Sequence, residues 1–150
     1  MATDQGTSHD RSAPRWEHFD HGADIGVRGL GATRADAFEQ VAVAMMAVIV
    51  DPAVVRRTTG VPVACAAESD DLLLLEWLNT LVYEMATRHM LFGEFHVALN
   101  GHTLSAHAWG EPVEPARHMP AVEVKGATAT ELRVYQRDDG PWVAQCVVDV

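Results

Sequence analysis

Residues 16–31, which read W-E-H-F-D-H-G-A-D-I-G-V-R-G-L-G, constrain the fold more than any other stretch of the chain. From Ile25 onward, apolar residues recur with glycines between them, and such alternation predicts a half-buried β-strand. Glycines inside a strand are typical of a bulge or of a close approach by another part of the backbone. A polar segment therefore leads directly into a strand that must bury one face in a core.

The polar half of this stretch is rich in side chains that bind cations. Acidic and imidazole groups lie close together there, namely Glu17, His18, Asp20, His21 and Asp24. Carboxylate oxygens suit calcium or magnesium, so one interpretation is a site for a hard cation. The alternative is a polar loop in which Asp24 caps a turn for purely local reasons. One short loop does not complete a cation site, so the first interpretation requires a second contributor from elsewhere in the chain.

The charge balance limits the partners that the chain can bind. It carries 11 basic and 21 acidic residues, for a formal net charge of -10. Nucleic-acid phosphates are repelled by such a surface, so direct, stable binding of nucleic acid is not expected. The same charge suits a bound cation or a basic protein partner.

Length and composition indicate one globular domain in the cytoplasm. The 150 residues, 48% of them hydrophobic, are enough for a single core. Cys65 and Cys146 have no zinc-finger or disulfide-framework spacing, which favours two thiols in a reducing compartment. No apolar run is long enough to span a membrane, and no apolar signal core is present. Residues 1–15 are polar and are expected to form a disordered tail, which leaves 16–150 as the domain.

Two amphipathic helices are predicted. Thr33 and Asp36 have the spacing of a capping box, and an apolar stripe with helical period follows them as far as residues 51–52. The members of this stripe are Ala37, Phe38, Val41, Ala44, Met45 and Val48. Ser69 caps the second helix, which is predicted to run to about His89. Its predicted stripe consists of Leu72, Leu75, Leu78, Leu81, Val82 and Met85.

Several strands are predicted, most of them in hairpins. The predicted strands are 58–66, 92–99, 102–109, 132–136 and 142–150, with a loop at 111–119 and a weakly alternating segment at 121–128. Pro62 makes the first of these an edge strand or a bulged one. Asn100-Gly101 predicts a type I′ hairpin, and Asp139-Gly140 predicts a second hairpin. The order of elements predicts an α+β fold, with two helices packed on a mainly antiparallel β-sheet in a single domain.

The sequence ends within a strand pattern, at Asp149 and Val150. The side chain of Asp149 lies at the strand end, and the α-carboxylate of Val150 adds a second negative group beside it. These two carboxylates would hold a calcium-type ion if Asp24 lay close to them. The alternative is a solvated chain end with no ligand role. Spacing in the sequence leaves both interpretations open.

The sequence resembles the archease family over residues 16–150. The resemblance is carried by W-E-H-F-D-H-G-A-D-I-G-V-R-G at 16–29, A-F-E at 37–39, V-K-G-A-T at 124–128 and V-V-D-V at 147–150. It implies a small acidic accessory protein, without catalytic residues of its own, for the RtcB-type RNA ligase, which joins RNA ends using GTP and divalent metal. Such a protein is expected to promote guanylylation of the ligase and its multiple turnover in tRNA splicing or RNA repair.

The resemblance also implies a divalent-ion site between the D-H-x-A-D motif and the C-terminus. Carried over position by position, the ligands are Asp24, Asp149 and the terminal carboxylate of Val150. Calcium is the expected ion, and magnesium or manganese are the alternatives. Three positions depart from the family pattern, since Gly22 replaces a usual Thr, Gly126 replaces an Ala, and Ala129 replaces an aromatic residue. Gly22 is expected to loosen the metal loop, because glycine leaves the backbone freer.

Other functions and another metal stay open at this point. One alternative is a metal-dependent hydrolase that uses Asp24 and a metal-bound water, and another is a chaperone-like interaction module with a structural ion. Zinc held by His18, His21 and His118 is a further alternative, although the carboxylates favour a hard ion. For His18, a buried or hydrogen-bonded structural role is expected instead.

Overall fold

Eight strands and three helices make up residues 13–150, the part of the chain that the structure, a computed structural model, describes. The strands are β1 (Arg15–His21), β2 (Asp24–Gly31), β3 (Thr59–Ala66), β4 (Met90–Asn100), β5 (Thr103–Pro112), β6 (Gly126–Ala127), β7 (Arg133–Gln136) and β8 (Trp142–Asp149). The helices are α1 (Arg34–Ile49), α2 (Asp70–Arg88) and the short α3 (Pro115–His118), with a 3-10 turn at Pro52–Val54. The predicted α+β class is confirmed.

The strands pair antiparallel, as predicted, and they divide into two sheets. Sheet A has the order β1-β2-β8-β6, and β7 also pairs with β8. Sheet B has the order β3-β5-β4. α1 packs against β2 and β8 of sheet A and against β4 of sheet B. The core therefore forms around α1, with sheet strands from both sides contributing to it.

α1 is buried over most of its circumference. The Thr33 side chain accepts a hydrogen bond from the Asp36 backbone N–H (3.0 Å), and the Asp36 carboxylate accepts one from the Thr33 backbone N–H (3.3 Å). This reciprocal pair confirms the predicted capping box. The predicted stripe is buried, and so are three further residues, Ala42, Met46 and Ile49. A helix that is apolar on nearly all sides belongs in the centre of a core.

α1 lies directly on the backbone of β2 at Gly29. A Cβ atom at this position would lie 2.2 Å from the backbone nitrogen of Val41 and 2.4 Å from the carbonyl oxygen of Ala37. Both atoms belong to the backbone of α1, so no side-chain rotation relieves the overlap. At Gly29 the backbone of α1 therefore approaches the backbone of β2 closely, which is one of the two features that glycines within a strand predict.

The apolar stripe of α2 is shifted from the predicted one. Leu72 is 45% exposed, whereas Leu73 and Leu74 are buried. Trp77 is fully buried, and its Nε1–H donates a hydrogen bond to the carbonyl of Phe38 in α1 (3.0 Å). That hydrogen bond joins the Trp77 face of α2 to α1. Periodicity alone does not fix the phase of four consecutive leucines, and the prediction that Leu72 belongs to the buried stripe was wrong.

The polar segment before Asp24 forms strand β1 rather than a loop. All of its residues pair with β2, ending with His21 opposite Asp24. Gly22 and Ala23 are left as a two-residue turn between the strands. β1 is the edge of sheet A, where polar side chains reach solvent and discourage pairing with other chains. Arg15, which the sequence assigns to the tail, is the first residue of this strand.

Sheet B confirms one prediction and corrects another. β3, which contains Pro62, is an edge strand as predicted. The turn between β4 and β5 comprises Gly101 and His102, with Asn100 opposite Thr103. Of the two turn residues only Gly101 has a positive φ (+61°), which is the pattern of a type II′ turn. The predicted type I′ turn is wrong because it requires positive φ at both central residues.

The last third of the chain completes sheet A. The predicted loop at 111–119 contains the end of β5 and α3, and the segment 121–128 enters the sheet only through β6. β7 and β8 form the predicted hairpin, in which Gly140 has a φ of +121°. β8 pairs with β2 along one edge and with β6 and β7 along the other. It is therefore an interior strand, and residues 143–148 are all buried.

The structure describes little of the predicted N-terminal tail. Residues 1–12, most of the predicted tail, lie outside the described residues. Among residues 13–150, no helix combines the length and apolar character needed to cross a membrane.

Cys65 and Cys146 are free thiols, and burial raises their pKa values to about 11 and about 12. Both thiols therefore stay protonated and unreactive at neutral pH.

Candidate metal centre

Asp24 and Asp149 lie at the same end of sheet A. β2 and β8 are antiparallel, and their last matched pair at this end is Ile25 opposite Val148. One further step of the same register places Asp24 opposite Asp149 on the neighbouring strand. Neighbouring strands are about 4.8 Å apart, so the two carboxylates project from adjacent positions. The structure thus brings together two of the three predicted ligands, although they come from opposite ends of the chain.

Both carboxylates lie on the face of sheet A that points away from α1. Val27 and Cys146, which are opposite each other in the same register, belong to the core. Asp24 and Asp149 alternate with them along their strands and therefore face outward. Asp149 is exposed and Asp24 is half-buried. His21, opposite Asp24 on β1, shares this face and is the nearest imidazole in the register.

The end of β8 is held in place from two directions. The side chain of Val150 packs against the hydrophobic core. On the other side, the backbone carbonyl of Asp149 accepts a hydrogen bond from the Lys125 N–H (2.8 Å), and Gly126 of β6 lies opposite Asp149. The backbone that carries the third predicted ligand, the α-carboxylate of Val150, is therefore fixed beside the carboxylate pair.

The three predicted ligands suit an oxygen-liganded ion. Asp24, Asp149 and the Val150 terminus offer only carboxylate oxygens, which are the donors that calcium takes in proteins. With the side chains in the positions that the structure shows, no three of His, Cys, Asp and Glu within the described part of the chain are grouped so that they could hold an ion. A centre at this position therefore depends on a main-chain oxygen, such as the α-carboxylate, as its third protein donor.

An aromatic ring and an arginine border the carboxylate pair on the same face. The Phe19 ring covers Gly26, where a Cβ atom would lie 2.3 Å from the ring. The Arg28 guanidinium lies 4.5 Å from the centre of that ring and donates hydrogen bonds to Glu17 and Gln145 (both 3.0 Å). Glu17 forms an ion pair with the Arg28 guanidinium. Because this positive charge is already paired, it does little to offset the attraction of the two carboxylates for a cation.

The three histidines considered for a zinc site lie in different places. His18 points toward α1, where its Nε2–H donates a hydrogen bond to the Ala44 carbonyl (2.7 Å). This confirms the hydrogen-bonded role expected for His18. His118 is buried in α3, whereas His21 lies on the outward face of sheet A. The structure therefore does not bring these three imidazoles together.

A buried carboxylate that the sequence analysis missed holds α3 in place. Glu111 accepts hydrogen bonds from the Arg117 guanidinium, from the His118 Nε2–H (2.9 Å) and from the Arg56 backbone N–H (2.7 Å). His118 Nδ1 accepts from the Glu114 backbone N–H (2.8 Å), which keeps the proton of the neutral imidazole on Nε2. Chiefly because of the hydrogen bond from Arg117, the pKa of Glu111 is lowered to about 2.

The lowered pKa of Glu111 predicts a defined loss of stability in acid. Its pKa falls from 4.5 to about 2 on folding, so ionised Glu111 stabilises the fold above pH 4.5 and this contribution disappears as the pH drops toward 2. Glu111→Gln removes the contribution at every pH. We expect the melting temperature of the variant to lie below that of the wild type at pH 7, and the difference to shrink below pH 4.5.

Glu114→Gln is the matched control for this measurement. Glu114 pairs with the same guanidinium but its side chain is 56% exposed, so its removal should change the melting temperature little. Thermal unfolding followed by circular dichroism between pH 7 and pH 2 measures both variants. A Glu111→Gln deficit that stays constant across this range would contradict the proposed linkage.

Comparison with known proteins establishes the family. The family model described as the Archease protein family matches residues 16–150. This chain belongs to the archease family. The archease of Pyrococcus furiosus is 35% identical over 140 residues, which cover 91% of this chain and 99% of that protein. The archease of Thermococcus gammatolerans is 38% identical with the same coverage.

A solved structure agrees with the archease assignment. The solution structure of protein 1598 of Methanobacterium thermoautotrophicum is similar to this fold with a TM-score of 0.79 and 28% sequence identity. The similarity covers 90% of this chain and 98% of that protein. The resemblance inferred from the D-H-x-A-D motif and the terminal V-V-D-V is therefore confirmed at the level of family and fold.

The structure shows the local surroundings of two of the three positions that depart from the archease pattern. Gly22 has a φ of +62° at the first position of the turn between β1 and β2, a conformation that would strain the usual Thr. Gly126 lies beside Asn79, whose Oδ1 accepts a hydrogen bond from the Ala127 N–H (2.8 Å). Nothing in the structure explains Ala129, which is exposed.

Proposed function

We propose that this chain is a metal-binding, non-enzymatic accessory protein that activates an RtcB-type RNA ligase in tRNA splicing or RNA repair. The observation that supports the proposal is the pairing of β2 with β8, which ends with Ile25 opposite Val148, one residue before Asp24 and Asp149. Membership of the archease family supports the accessory role. The proposed ligands are the carboxylates of Asp24 and Asp149 and the α-carboxylate of Val150, and the proposed ion is calcium, with magnesium or manganese as alternatives.

Electrostatics support both an ion at this position and a protein partner. Two carboxylates on neighbouring strands repel each other, and a bound divalent cation removes that repulsion. The chain carries a formal net charge of -10, which disfavours contact with RNA phosphates and is compatible with a basic partner protein. Asp149 is exposed, so a partner protein can approach this end of sheet A. The ligase, and not this protein, therefore contacts the RNA. Both proteins act in the cytoplasm.

Asp24→Asn tests the proposed ion site, with Asp20→Asn as the matched control. Asp20 lies nearby on β1 opposite Ile25, and it faces the other side of the sheet. Both variants lose one carboxylate from the same motif. In calorimetric titration with calcium, we expect Asp24→Asn to lose at least about tenfold in affinity and Asp20→Asn to bind like the wild type. Circular dichroism should show the same fold for all three proteins.

The same proteins test the accessory role in a single-turnover assay of ligase guanylylation with GTP. Wild type and Asp20→Asn should accelerate guanylylation, and Asp24→Asn should not. Calcium affinity that is unchanged in Asp24→Asn would remove this residue from the site. Hydrolytic activity of the protein alone would favour a metal-dependent hydrolase instead, and equal protection of unrelated aggregating proteins would favour a chaperone-like module.

A further inference from the structure

The outer face of sheet B carries two histidines at directly opposed positions. His96 of β4 lies opposite His107 of β5, and both are exposed. Cβ atoms of directly opposed residues in an antiparallel pair are about 4.5–5.5 Å apart. Imidazoles at that separation can reach a common point above the sheet, and imidazole nitrogen is a preferred ligand of zinc and its neighbours in the periodic table.

A β-bulge places a carboxylate beside this pair. The register between β4 and β5 shifts between Phe92 and Glu94, so Gly93 has no partner. The extra residue lets Phe92 and Phe95 both point into the core, where their rings are 6.2 Å apart, and it leaves Glu94 and His96 together on the outer face. Glu94 Oε2 consequently accepts a hydrogen bond from His96 Nε2–H (2.6 Å).

Arg57 fixes both the bulge and the carboxylate. Its guanidinium donates hydrogen bonds to the carbonyls of Gly93 (2.9 Å) and Val55 (2.6 Å), and its Nε lies 3.5 Å from Glu94 Oε1. Glu94 thus directs Oε1 toward Arg57 and Oε2 toward His96. The carboxylate is positioned before any ion arrives, which reduces the conformational entropy lost on binding.

His107 is supported by stacking and keeps its ring nitrogens available. Its ring stacks on Trp109 with centroids 6.4 Å apart, and Trp109 lies across Gly60, where a Cβ atom would lie 2.9 Å from the indole. Among the residues that the structure describes, none hydrogen-bonds to the ring nitrogens of His107. Glu94, His96, His107 and Trp109 line an open hollow of about 390 Å³.

A second carboxylate increases the negative charge around these histidines. Glu39 of α1 accepts a hydrogen bond from the Val97 backbone N–H (2.8 Å). It lines an adjoining hollow together with His96 and His107. Carboxylates therefore flank His96 from two directions, and the Arg57 guanidinium, 3.5 Å from Glu94, partly opposes them. This charge distribution favours a cation over an anionic ligand.

We propose that His96, His107 and Glu94 form a second metal site, for a first-row transition ion such as Zn²⁺, on the outer face of sheet B. The ion takes the lone pair of His96 Nε2 in place of the hydrogen bond to Glu94, and the neutral imidazole carries its single proton on Nδ1 instead. These three side chains are not grouped around one point in the positions that the structure shows, and His107 completes the group when its exposed ring turns from Trp109 toward His96. Two imidazoles and one carboxylate are a known protein ligand set for zinc. The site lies on a different sheet from Asp24 and does not rest on the proposed function.

Calorimetric titration with zinc chloride tests this proposal. All variants carry Asp24→Asn, so that the other candidate site does not contribute. We expect one zinc ion to bind, and the affinity to fall by at least about tenfold in His96→Ala and in His107→Ala. Glu94→Gln should weaken binding as well. His102→Ala is the matched control, because His102 is another exposed histidine of the same hairpin and should have no effect.

A second measurement locates the ion directly. Paramagnetic Ni²⁺ added in substoichiometric amounts should broaden the NMR signals of residues around His96 and His107 before any others. Circular dichroism verifies that each variant is folded, which is expected because both histidines are exposed. Zinc affinity that is equal in His96→Ala, His107→Ala and His102→Ala, or the absence of zinc binding by the folded protein, would overturn the proposal.

Discussion

A peptide extension after Val150 is expected to weaken calcium binding by about tenfold to a hundredfold and to abolish stimulation of the ligase, while the fold persists. The extension converts the α-carboxylate of Val150 into a neutral amide and brings new atoms to the proposed site. One of three anionic ligands is lost, and the affinity of an oxygen-liganded site depends on the number of charged ligands. Calcium titration and the guanylylation assay measure the two effects.

The same peptide attached at the N-terminus is the matched control. β1 begins at Arg15, opposite Leu30 and at the far end of the hairpin from Asp24, so this extension should leave calcium affinity unchanged. Val150→Leu is a second control, since it retains both the terminal carboxylate and an apolar side chain for the core. Equal calcium affinity of the two extended proteins would show that the third donor is not the terminus.

Gly29→Ala is expected to lower the free energy of unfolding by about 3 kcal/mol. The added Cβ atom would lie 2.2 Å from the backbone nitrogen of Val41, so α1 would have to move away from β2. α1 also packs on β4, and its displacement would disturb contacts with both sheets. Urea denaturation at pH 7 gives the change in free energy, and a reduced midpoint with an unchanged slope is the expected result.

Gly126→Ala provides the matched control for this substitution. A Cβ atom there would meet only the side-chain Oδ1 of Asn79, at 3.2 Å, and the family usually carries alanine at this position. Its effect on the free energy of unfolding should stay below about 1 kcal/mol in either direction. If Gly29→Ala were no more destabilising than Gly126→Ala, the contact between β2 and α1 would be more adaptable than its geometry indicates.

The features of the fold that the sequence predicts are those set by neighbouring residues. The capping box of Thr33 and Asp36 is confirmed because both partners lie within one helical turn. The prediction of the buried face of α2 was wrong at Leu72 because that face packs on elements far away in the sequence, as the hydrogen bond from Trp77 to Phe38 illustrates. The turn at Gly101 was assigned the wrong type because strand pairing, which fixes the turn positions, is also a non-local property.

At the candidate sites, too, the sequence predicts the type of ligand but not which residues lie close together in the fold. Residue chemistry was enough to nominate Asp24 and Asp149 as ligands, but their proximity follows from the pairing of β2 with β8, which the sequence did not reveal. The sheet B site was missed for another reason. The bulge at Gly93 interrupts the alternation of β4, and without knowing its position one cannot tell that Glu94 faces the same way as His96.

The interior position of β8 has a consequence for how the protein is synthesised. β2 must wait for a partner that is synthesised much later, as the hydrogen bond from Arg28 to Gln145, 117 residues further along, illustrates. Pairing over such a separation closes a long loop and slows folding. On the ribosome, the nascent hairpin of β1 and β2 therefore presents an open strand edge until residues 142–149 emerge. We expect a chain truncated before β8 to aggregate rather than to fold as a smaller domain.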